Sequence, residues 1–338
     1  MNFEKNNMFE RILVVGGNSF SGSHFAAELV NKGQNVLSIS RSDRVSSLFL
    51  PEKWNFSKKI SVPFKKIDLR TDTEELYDLV NDFRPELVVN FAAQGMVAES
   101  WERPIDWYQT NVLAQISFHD VLRGSHEFKR YVHVTTPEVY GNSDGWVKEN
   151  IFYKPSTPYA ASRASCDLHL LTYFNGHNFP VVFTRAANVY GAGQQLYRII
   201  PRAIIAALTG QKLNLHGGGL SERSFVHIKD VVDATYQVAT SGILGECYHI
   251  STNKIISISN LVEEVAKIFG LRLKDICEFG KDRLGKDHSY MLDSAKIRSE
   301  LDWKDTISLE EGLLDVKTWV VENLTEINSM SLNYEHKV

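Results

Sequence analysis

Short apolar runs alternate with longer amphipathic stretches along the first half of the chain. The runs are rich in Val, Ile and Leu and are typical of buried strands, whereas the stretches carry apolar residues at helical spacing. Strands are predicted at residues 12–15, 36–39, 63–68, 87–91, 131–134 and 181–183. Helices are predicted for the stretch that ends at Lys32 and for residues 73–83, 105–123 and 157–174.

The predicted strands are apolar throughout rather than alternating between apolar and polar residues. This pattern indicates a parallel sheet that is covered by helices on both faces. Because crossovers between parallel strands are right-handed, the prediction is an α/β fold with a doubly wound, Rossmann-type parallel sheet.

Beyond about residue 187 the pattern loosens, and Gly217–Gly219 interrupts it before helices return near 229–240, 258–269 and 309–322. We interpret this part as a second, smaller lobe that is interleaved with the first. The predicted organisation is a Rossmann domain over 1–187, to which 226–252 return, a smaller lobe over 188–330 and a loose polar tail over 331–338.

The composition is that of an ordinary globular protein, with 43% hydrophobic and 23% charged residues among 338. A formal net charge of −4 argues against a nucleic-acid partner, which would require a basic surface. No apolar stretch has the length of a membrane span, and residues 1–7 lack the apolar core of a signal peptide. The three cysteines are far apart and HExxH is absent, so we predict a cytoplasmic protein without a metal.

A glycine-containing turn joins the first strand to the first helix. Gly16 and Gly22 stand six residues apart, which is the outer spacing of GxxGxxG, but the middle position is Ser19. A turn of this kind lets the backbone approach a pyrophosphate closely, while the helix N-terminus directs free N–H groups at it. Its place in the first strand–helix unit predicts a dinucleotide-binding site.

The residues after the second strand bear on the choice of dinucleotide. An acidic residue there would bind the adenosine ribose, whereas an arginine would favour a 2′-phosphate. Arg41 and Arg44 therefore favour NADP, and Asp43 between them leaves NAD open. Asp68, at the end of the third strand, is a candidate for contact with the adenine.

Candidate catalytic residues follow the fifth strand, since ligands of such sheets bind beyond the carboxyl ends of the strands. Thr136 and Glu138 stand at that strand end, and Tyr159 and Arg163 open the next helix. Their spacing of four residues places Tyr159 and Arg163 on one helical face. A cation there would favour the tyrosinate and let Tyr159 act as a base.

These residues and their neighbours resemble the extended short-chain dehydrogenase/reductase family, in particular its nucleotide-sugar dehydratases, over about residues 10–325. Residues 16–22 resemble TGxxGxxG, 90–94 resemble NxAAQ, 136–138 resemble TDE or TSE, and 158–165 resemble PYxxSKxxx. Residues 185–191 and 223–230 are similar to the segments that hold the nucleotide diphosphate. Residues 92–101 are closer to GDP-mannose 4,6-dehydratases and 138–140 to dTDP-glucose 4,6-dehydratases, which leaves the nucleotide base open.

The resemblance implies a reaction and a set of site residues. Tyr159 would take the proton of the sugar 4-hydroxyl, which Thr136 also contacts, as the C4 hydride passes to NAD(P)⁺. Glu138 would then remove the C5 proton. Water would leave from C6, and the hydride would return there. The implied cofactor-binding residues are Gly16, Asn18, Ser19, Phe20, Gly22, Arg41, Asp68, Leu69, Ala92, Ala93, Tyr159 and Arg163. The implied substrate-binding residues are Gln94, Asn188, Arg198 and Arg223, and helices 105–123 and 157–174 are expected to pair in a homodimer.

Three departures from the family pattern keep other functions open. Ser19 replaces the middle glycine, Arg163 replaces a lysine, and Pro137 stands where dTDP-glucose dehydratases carry the acid that protonates the departing hydroxyl. Pro137 favours a 4-epimerase, a C4 dehydrogenase or a decarboxylase of the same family over a dehydratase. Ser19 and Arg163 favour a non-catalytic NAD(P)-binding sensor, against which Thr136, Glu138 and Tyr159 speak.

Overall fold

The computed structural model describes residues 8–143, 145–280 and 291–337. The described strands are β1 (Ile12–Val15), β2 (Val36–Ser40), β3 (Phe64–Lys66), β4 (Leu87–Asn90), β5 (Arg130–Thr135), β6 (Trp146–Val147), β7 (Val181–Ala186), β8 (Asn188–Tyr190), β9 (Leu213–His216), β10 (Glu222–Arg223), β11 (Phe225–His227), β12 (Cys247–Ile250), β13 (Ile256–Ser257), β14 (Cys277–Gly280) and β15 (Met291–Leu292).

The described helices are α1 (Phe20–Asn31), α2 (Thr73–Phe83), α3 (Pro104–Tyr108), α4 (Ala114–Arg123), α5 (Pro158–His177), α6 (Ile199–Thr209), α7 (Ile228–Ser241), α8 (Ile258–Ile268), α9 (Leu273–Ile276), α10 (Ala295–Leu301), α11 (Leu309–Glu322) and α12 (Leu324–Ile327).

A seven-stranded parallel sheet is the centre of the fold, with the strand order β12-β7-β5-β4-β1-β2-β3. Strand β1 lies in the middle, where Ile12 is opposite Val36 of β2 on one side and Leu87 of β4 on the other. The order reverses direction beside β1, so a crevice opens beyond the carboxyl ends of β1 and β4. The Rossmann-type doubly wound sheet predicted from the sequence is confirmed.

Successive residues of β1 enter opposite layers of the core, as the two-residue period of a strand requires. Ile12 and Val14 pack in one apolar cluster with α1 and α7, and Leu13 and Val15 pack in another with α2, α4 and α5. Because both faces are covered, every residue of β1 is buried and apolar. This explains why the strands appear in the sequence as unbroken apolar runs.

The stretch predicted as one helix over 105–123 contains α3, a π-helical turn at Gln109–Leu113 and α4. Asn111 lies in that turn and is buried. Its side-chain oxygen accepts a hydrogen bond from the backbone N–H of Gln94 at 2.7 Å, and its amide donates to the Gln94 carbonyl at 3.0 Å. The widened turn therefore anchors the loop that follows β4.

A second apolar core lies outside the sheet and is built mainly by α6, α8 and α11. The chain enters this lobe after β7 and returns to the sheet with β12, which pairs with β7. The sequence pattern did not predict α6 or β12 as elements. Helix α6 is apolar at most of its positions, and six of its eleven residues are buried. It therefore lacks the polar face that marks a surface helix. None of the helices in the described ranges is both long and apolar enough to cross a bilayer.

Candidate active site

A cavity of about 730 Å³ lies between the carboxyl edge of the sheet and the second lobe. The candidate residues that line it come from both lobes. They are Ser19, Phe20, Ala93, Thr136, Glu138, Tyr159, Arg163, Asn188, Arg198 and Arg223. The candidates outside its lining are Gly16, Asn18, Gly22, Arg41, Asp68, Leu69, Ala92 and Gln94. The catalytic and diphosphate candidates therefore converge on one space, whereas most of the cofactor candidates lie beside it.

The turn after β1 has the close approaches that explain its glycines. Gly16 has a φ of +84°, and a Cβ there would stand 2.7 Å from the backbone nitrogen of Ala92 beyond β4. A Cβ on Gly22 would collide with the Gly16 carbonyl oxygen and stand 2.8 Å from the Ser19 hydroxyl. The turn thus lies flat against the next strand end, and it has the open backbone that a pyrophosphate requires.

Ser19 takes the middle position of the turn without strain. Its φ of −73° is accessible to any residue, so a glycine is not required there by the backbone. Its hydroxyl caps α1 and accepts a hydrogen bond from the backbone N–H of Gly22 at 3.1 Å. The replacement of glycine by serine therefore uses one of the free N–H groups of the helix N-terminus but leaves the turn intact.

The two arginines after β2 have different partners. Arg44 is tied to the protein, because it donates to the Gly17 carbonyl at 3.1 Å and pairs with the buried carboxylate of Glu52. Arg41 donates from Nη2 to the carbonyl oxygen of Lys337 at 3.1 Å. Its Nη1 is buried and has no hydrogen-bond partner within the described ranges. Arg44 is therefore the more firmly engaged of the two within the protein.

Asp68, beyond β3, forms an ion pair with Arg70, whose Nη2 lies 2.7 Å from the Asp68 carboxylate. Burial acts to raise the pKa of Asp68, but the hydrogen bonds and charge of Arg70 prevail and lower it. The neighbouring Leu69 is buried. This carboxylate is therefore ionised at neutral pH and is already engaged within the protein.

Thr136, Pro137 and Glu138 form the turn that leaves β5. Thr136 caps a short 3₁₀ helix, Pro137–Tyr140, and its hydroxyl accepts from the backbone N–H of Glu138 at 3.4 Å. Proline suits the first position of this helix because its fixed φ is compatible with it and its missing N–H is not needed there. The local structure thus accounts for Pro137 while directing Thr136 and Glu138 into the cavity.

Tyr159 lies in the first turn of α5, which begins at the Thr157 cap. Burial and the negative charge of Glu138 raise the pKa of its phenol. The positive charge of Arg163 and a hydrogen bond with the Thr136 side chain act in the opposite direction. Tyr159 is therefore in electrostatic contact with the other three catalytic candidates.

Arg163 is 2% exposed, and its guanidinium extends along α5 toward the sheet. Its Nη2 donates a hydrogen bond to the carbonyl oxygen of Val134 and lies 3.5 Å from Nε2 of His133. Nε and Nη1 have no hydrogen-bond partner in the described part of the chain. Arg163 thus supplies charge near Tyr159 while its principal hydrogen bond holds β5.

A buried ion pair between α5 and β7 holds the catalytic candidates in position. Asp167, one turn after Arg163 on α5, pairs with Arg185 of β7 at 2.6 Å, and both side chains are almost inaccessible to solvent. Asp167 also accepts a hydrogen bond from the Thr135 hydroxyl at 3.0 Å. Arg185 in turn donates to the hydroxyl of Tyr153 at 3.0 Å. The network fixes α5 relative to the ends of β5 and β7, which carry the candidate residues.

Arginines line the end of the cavity that lies on the second lobe. Arg198 precedes α6 and Arg223 lies on β10, and both were predicted from the family resemblance. Arg202 lines the same cavity but was not predicted. Arg202 lies near the start of α6, only four residues after Arg198, and this second basic residue in an otherwise apolar stretch is the signal that could have identified it. Together the three guanidinium groups suit an anion with two phosphates.

Gln94, predicted to contact substrate, lies outside the cavity lining. Its side chain is buried and donates to the hydroxyl of Tyr334 at 2.9 Å. The C-terminal segment 331–337, expected to be loose, thus packs on the sheet edge in its described part. No pattern in the tail sequence indicated this contact, because it joins residues 240 positions apart.

Comparison with known proteins places these features in context. The model of the family described as GDP-mannose 4,6 dehydratase matches residues 13–316. A dTDP-glucose 4,6-dehydratase of Neisseria meningitidis serogroup B is 30% identical over 340 residues, covering 93% of this chain and 94% of that protein.

Solved structures are similar over the same length. The crystal structure of the dTDP-glucose 4,6-dehydratase DesIV from Streptomyces venezuelae, which has NAD bound, superposes with a TM-score of 0.85 at 28% identity, covering 94% of this chain and 98% of that one. A UDP-glucose 4-epimerase of Thermotoga maritima, solved with UDP-glucose, gives a TM-score of 0.84 at 25% identity, covering 93% and 99%. These matches confirm the resemblance that the sequence motifs predict.

Proposed function

The chain belongs to the GDP-mannose 4,6 dehydratase family, and we propose that it is an NAD(P)-dependent nucleotide-sugar 4,6-dehydratase that makes a 4-keto-6-deoxy sugar nucleotide. The observation that carries this proposal is the convergence of Tyr159, Thr136 and Glu138 on one cavity. A simple exchange of hydride at C4 needs a base such as Tyr159 but no carboxylate. Glu138 supplies the additional base that removal of a C5 proton requires.

The residues around the turn after β1 fit a dinucleotide. Neither Gly16 nor Gly22 has room for a Cβ, and α1 begins directly behind them. Ser19 and Phe20 extend this surface into the cavity, where Tyr159 and Arg163 lie. When bound, NAD would accept a hydride from C4 of the sugar and return it to C6.

The side chains then divide the proton transfers between them. Tyr159 takes the proton of the sugar 4-hydroxyl, and Thr136 holds the same oxygen by a hydrogen bond. Once C4 is a ketone, the C5 proton is acidic, and Glu138 removes it. Because Pro137 has no proton to donate, Glu138 passes the proton it has taken to the hydroxyl that leaves C6 as water. Glu138 then takes a proton from solvent and returns it to C5 as C6 receives the hydride, while Tyr159 releases the 4-hydroxyl proton to solvent.

The arginines and Asn188 position the substrate for these steps. Arg198, Arg202 and Arg223 line the cavity on the side of the second lobe, and Asn188 begins β8 beside them. Charge-assisted hydrogen bonds from guanidinium groups hold a diphosphate at a fixed distance from the base. The sugar is thereby directed toward Tyr159 and Glu138.

The cofactor is proposed to be NAD or NADP, and NAD is the one bound to the related DesIV structure. The preference for NADP inferred from the sequence stays a prediction. Its support is now limited to Arg41, since Arg44 pairs with Glu52 and with the Gly17 carbonyl. A comparison of the dissociation constants of NAD⁺ and NADP⁺ for the wild type and Arg41→Ala tests it, because loss of a 2′-phosphate contact would lower the affinity for NADP⁺ relative to that for NAD⁺.

We also propose a homodimer formed through α3, α4 and α5. These neighbouring helices, with the π-helical turn between α3 and α4, expose large apolar side chains, and Ile105 and Leu113 are 67% and 61% exposed. Leu168 on α5 is 45% exposed. Sedimentation analysis should find a dimer for the wild type and a monomer for the double variant Leu113→Glu/Leu168→Glu, whereas the exposed Ile243, on another part of the surface, tolerates the same change.

The dehydratase proposal is tested by offering the purified enzyme GDP-, dTDP-, UDP- and CDP-sugars and following the products by mass spectrometry. The expected result is loss of one water from one sugar nucleotide without net reduction of the cofactor. Glu138→Gln should abolish this loss. Glu99→Gln is the matched control, since Glu99 also lines the cavity and has no part in the mechanism.

A second candidate function, 4-epimerisation or oxidation at C4, is favoured by Pro137 and by the similarity to a UDP-glucose 4-epimerase. A product of unchanged mass, or stoichiometric reduced cofactor, would establish it in place of dehydration. If no sugar nucleotide gave a product and Tyr159→Phe changed only cofactor affinity, the protein would instead be a dinucleotide sensor.

A further inference from the structure

The C-terminal segment 331–337 has the side-chain alternation of an extended strand. Leu332, Tyr334 and His336 are partly buried, whereas the residues between them are exposed. One face of the segment is therefore docked on the protein, and the other faces solvent.

The docked side chains have specific partners on both sides of the crevice. The hydroxyl of Tyr334 accepts a hydrogen bond from Gln94, and its ring packs edge-on against Tyr197 of the second lobe at 5.4 Å. His336 forms a 2.9 Å contact with the Asp106 carboxylate. Its ring stacks on Trp107 at 5.0 Å, with the two planes within 8° of parallel.

The segment also reaches the end of β2. The carbonyl oxygen of Lys337 accepts a hydrogen bond from Arg41. Gln94 follows β4 and Arg41 follows β2, and β1 lies between these strands in the sheet. The segment therefore crosses the carboxyl edge of the sheet above β1, where the Gly16 turn begins.

This edge is the one on which a dinucleotide would extend from the Gly16 turn toward Arg41. The open cavity includes Ser19 and Tyr159 but not Arg41, Asp68 or Gln94. In this structure the half of the groove nearest β2 and β4 is instead in contact with residues 334–337 of the protein itself.

We propose that residues 333–337 are an intramolecular competitor of the dinucleotide. In the free protein they occupy the adenosine half of the groove, and they leave it when the cofactor binds. The apparent affinity for the cofactor is then the intrinsic affinity multiplied by the fraction of molecules in which the segment is undocked. This inference rests on the dinucleotide groove proposed above, but not on the dehydration step.

The test compares NAD⁺ affinity in three variants by fluorescence titration of protein freed of bound nucleotide. The first ends at Leu332 and so keeps the apolar contacts of Met330 and Leu332 with the second core. The second carries Tyr334→Ala and His336→Ala, which remove the docked side chains without shortening the chain. The matched control is Glu335→Ala, on the exposed face of the same segment.

Truncation and the double substitution should each lower the dissociation constant for NAD⁺ about tenfold, as for a segment docked in about nine molecules of ten. Glu335→Ala should leave it unchanged. An unchanged or higher dissociation constant in the truncated protein would overturn the proposal, the latter because the segment would then be a strap that holds the cofactor.

Amide hydrogen exchange of the C-terminal peptide gives an independent result. Saturating NAD⁺ should speed exchange in residues 333–337 of the full-length protein, and slower exchange would contradict displacement. If neither the full-length nor the truncated protein bound NAD⁺, both the proposed dinucleotide groove and the proposed competitor would be refuted. If both bound it equally, only the competitor would fall.

Discussion

The guanidinium of Arg163 donates a hydrogen bond to the carbonyl oxygen of Val134, two residues before Thr136 on the same strand end. The bond ties the first turns of α5 to the end of β5. It holds a positive charge beside Tyr159 in an interior where little solvent screens it. A lysine at this position would place its charge on a single flexible ammonium, whereas the planar guanidinium can bind the main chain and still act on Tyr159.

Replacement of Arg163 should move the pH dependence of catalysis. Its charge lowers the pKa of Tyr159, so Arg163→Met should raise that pKa. Because the base acts as the tyrosinate, the rising limb of the rate against pH should shift to higher pH. At a fixed pH below the Tyr159 pKa, the rate should fall about tenfold for each unit by which that pKa rises. Arg163→Lys, which keeps the charge, should leave the limb near its wild-type position. Identical limbs for the Met and wild-type enzymes would contradict an electrostatic role.

Glu138 acts on Tyr159 in the opposite sense. Its negative charge raises the Tyr159 pKa, so Glu138→Gln should lower that pKa and shift oxidation at C4 to lower pH. The same variant cannot remove the C5 proton. Reduced nicotinamide should therefore accumulate when a substrate is added, and its absorbance in a single turnover measures this. Normal release of water by this variant would exclude Glu138 as the C5 base.

Pro137→Asp should accelerate the elimination step. Asp is favourable in the first turn of a helix, so the short 3₁₀ helix after Thr136 should persist. An acid at this position can protonate the departing hydroxyl, and a positioned general acid contributes about a hundredfold or more to such a step. The rate of water loss, measured with a substrate deuterated at C5, should rise. An unchanged rate would mean that Glu138 alone protonates the departing hydroxyl as fast as a separate acid does.

Asp167→Ala should strongly destabilise the fold. The carboxylate is inaccessible to solvent and pairs with Arg185, so its removal leaves a buried, uncompensated guanidinium. Loss of one partner of a buried pair costs about 3–5 kcal/mol of the free energy of unfolding. Denaturant unfolding of the variant measures this. Asp120→Ala is the control, because its exposed pair with Arg123 should contribute less than about 1 kcal/mol.

His24 should make the protein sensitive to mild acid. Burial lowers the pKa of its imidazole from 6.5 to about 4, and its Nε2 contacts the Ala192 carbonyl at 3.0 Å. Below pH 6.5 the unfolded chain takes up a proton at this position that the folded protein does not. The free energy of unfolding should therefore fall between pH 6.5 and about 4, by up to about 3 kcal/mol from this group.

The control for this prediction is substitution at two histidines. His24→Gln keeps a hydrogen-bond donor but does not titrate, so the fall in the free energy of unfolding between pH 6.5 and about 4 should be smaller than in the wild type. Part of the fall should remain, because burial also lowers the pKa of His119, His133 and His249. His126→Gln, at an exposed histidine, should retain the full fall. If His24→Gln showed the wild-type slope, other groups would be responsible for the acid sensitivity.

The sequence alone determined the class of fold and the order of the motifs. Strands buried on both faces must be apolar at every position, so β1 and β4 are visible as local patterns. The Gly16 turn is likewise a local feature, because its backbone conformation and tight contacts can be met only by glycine. Even the spacing of Tyr159 and Arg163 on one helical face follows from the helix period.

Only the tertiary structure decided which candidates meet and which way each side chain turns. Arg163 bonds the carbonyl of Val134 and Arg44 bonds Glu52, and neither partner can be inferred from spacing along the chain.

Helix α6 had no polar face by which the sequence could reveal it, and Arg202 was identified as a cavity residue only from the position of that helix in the structure. The contact of Tyr334 with Gln94 depends on where the second lobe delivers the C-terminus. Local patterns record burial and backbone geometry, whereas contacts between distant residues depend on how the layers pack, and that packing is settled by the whole chain together.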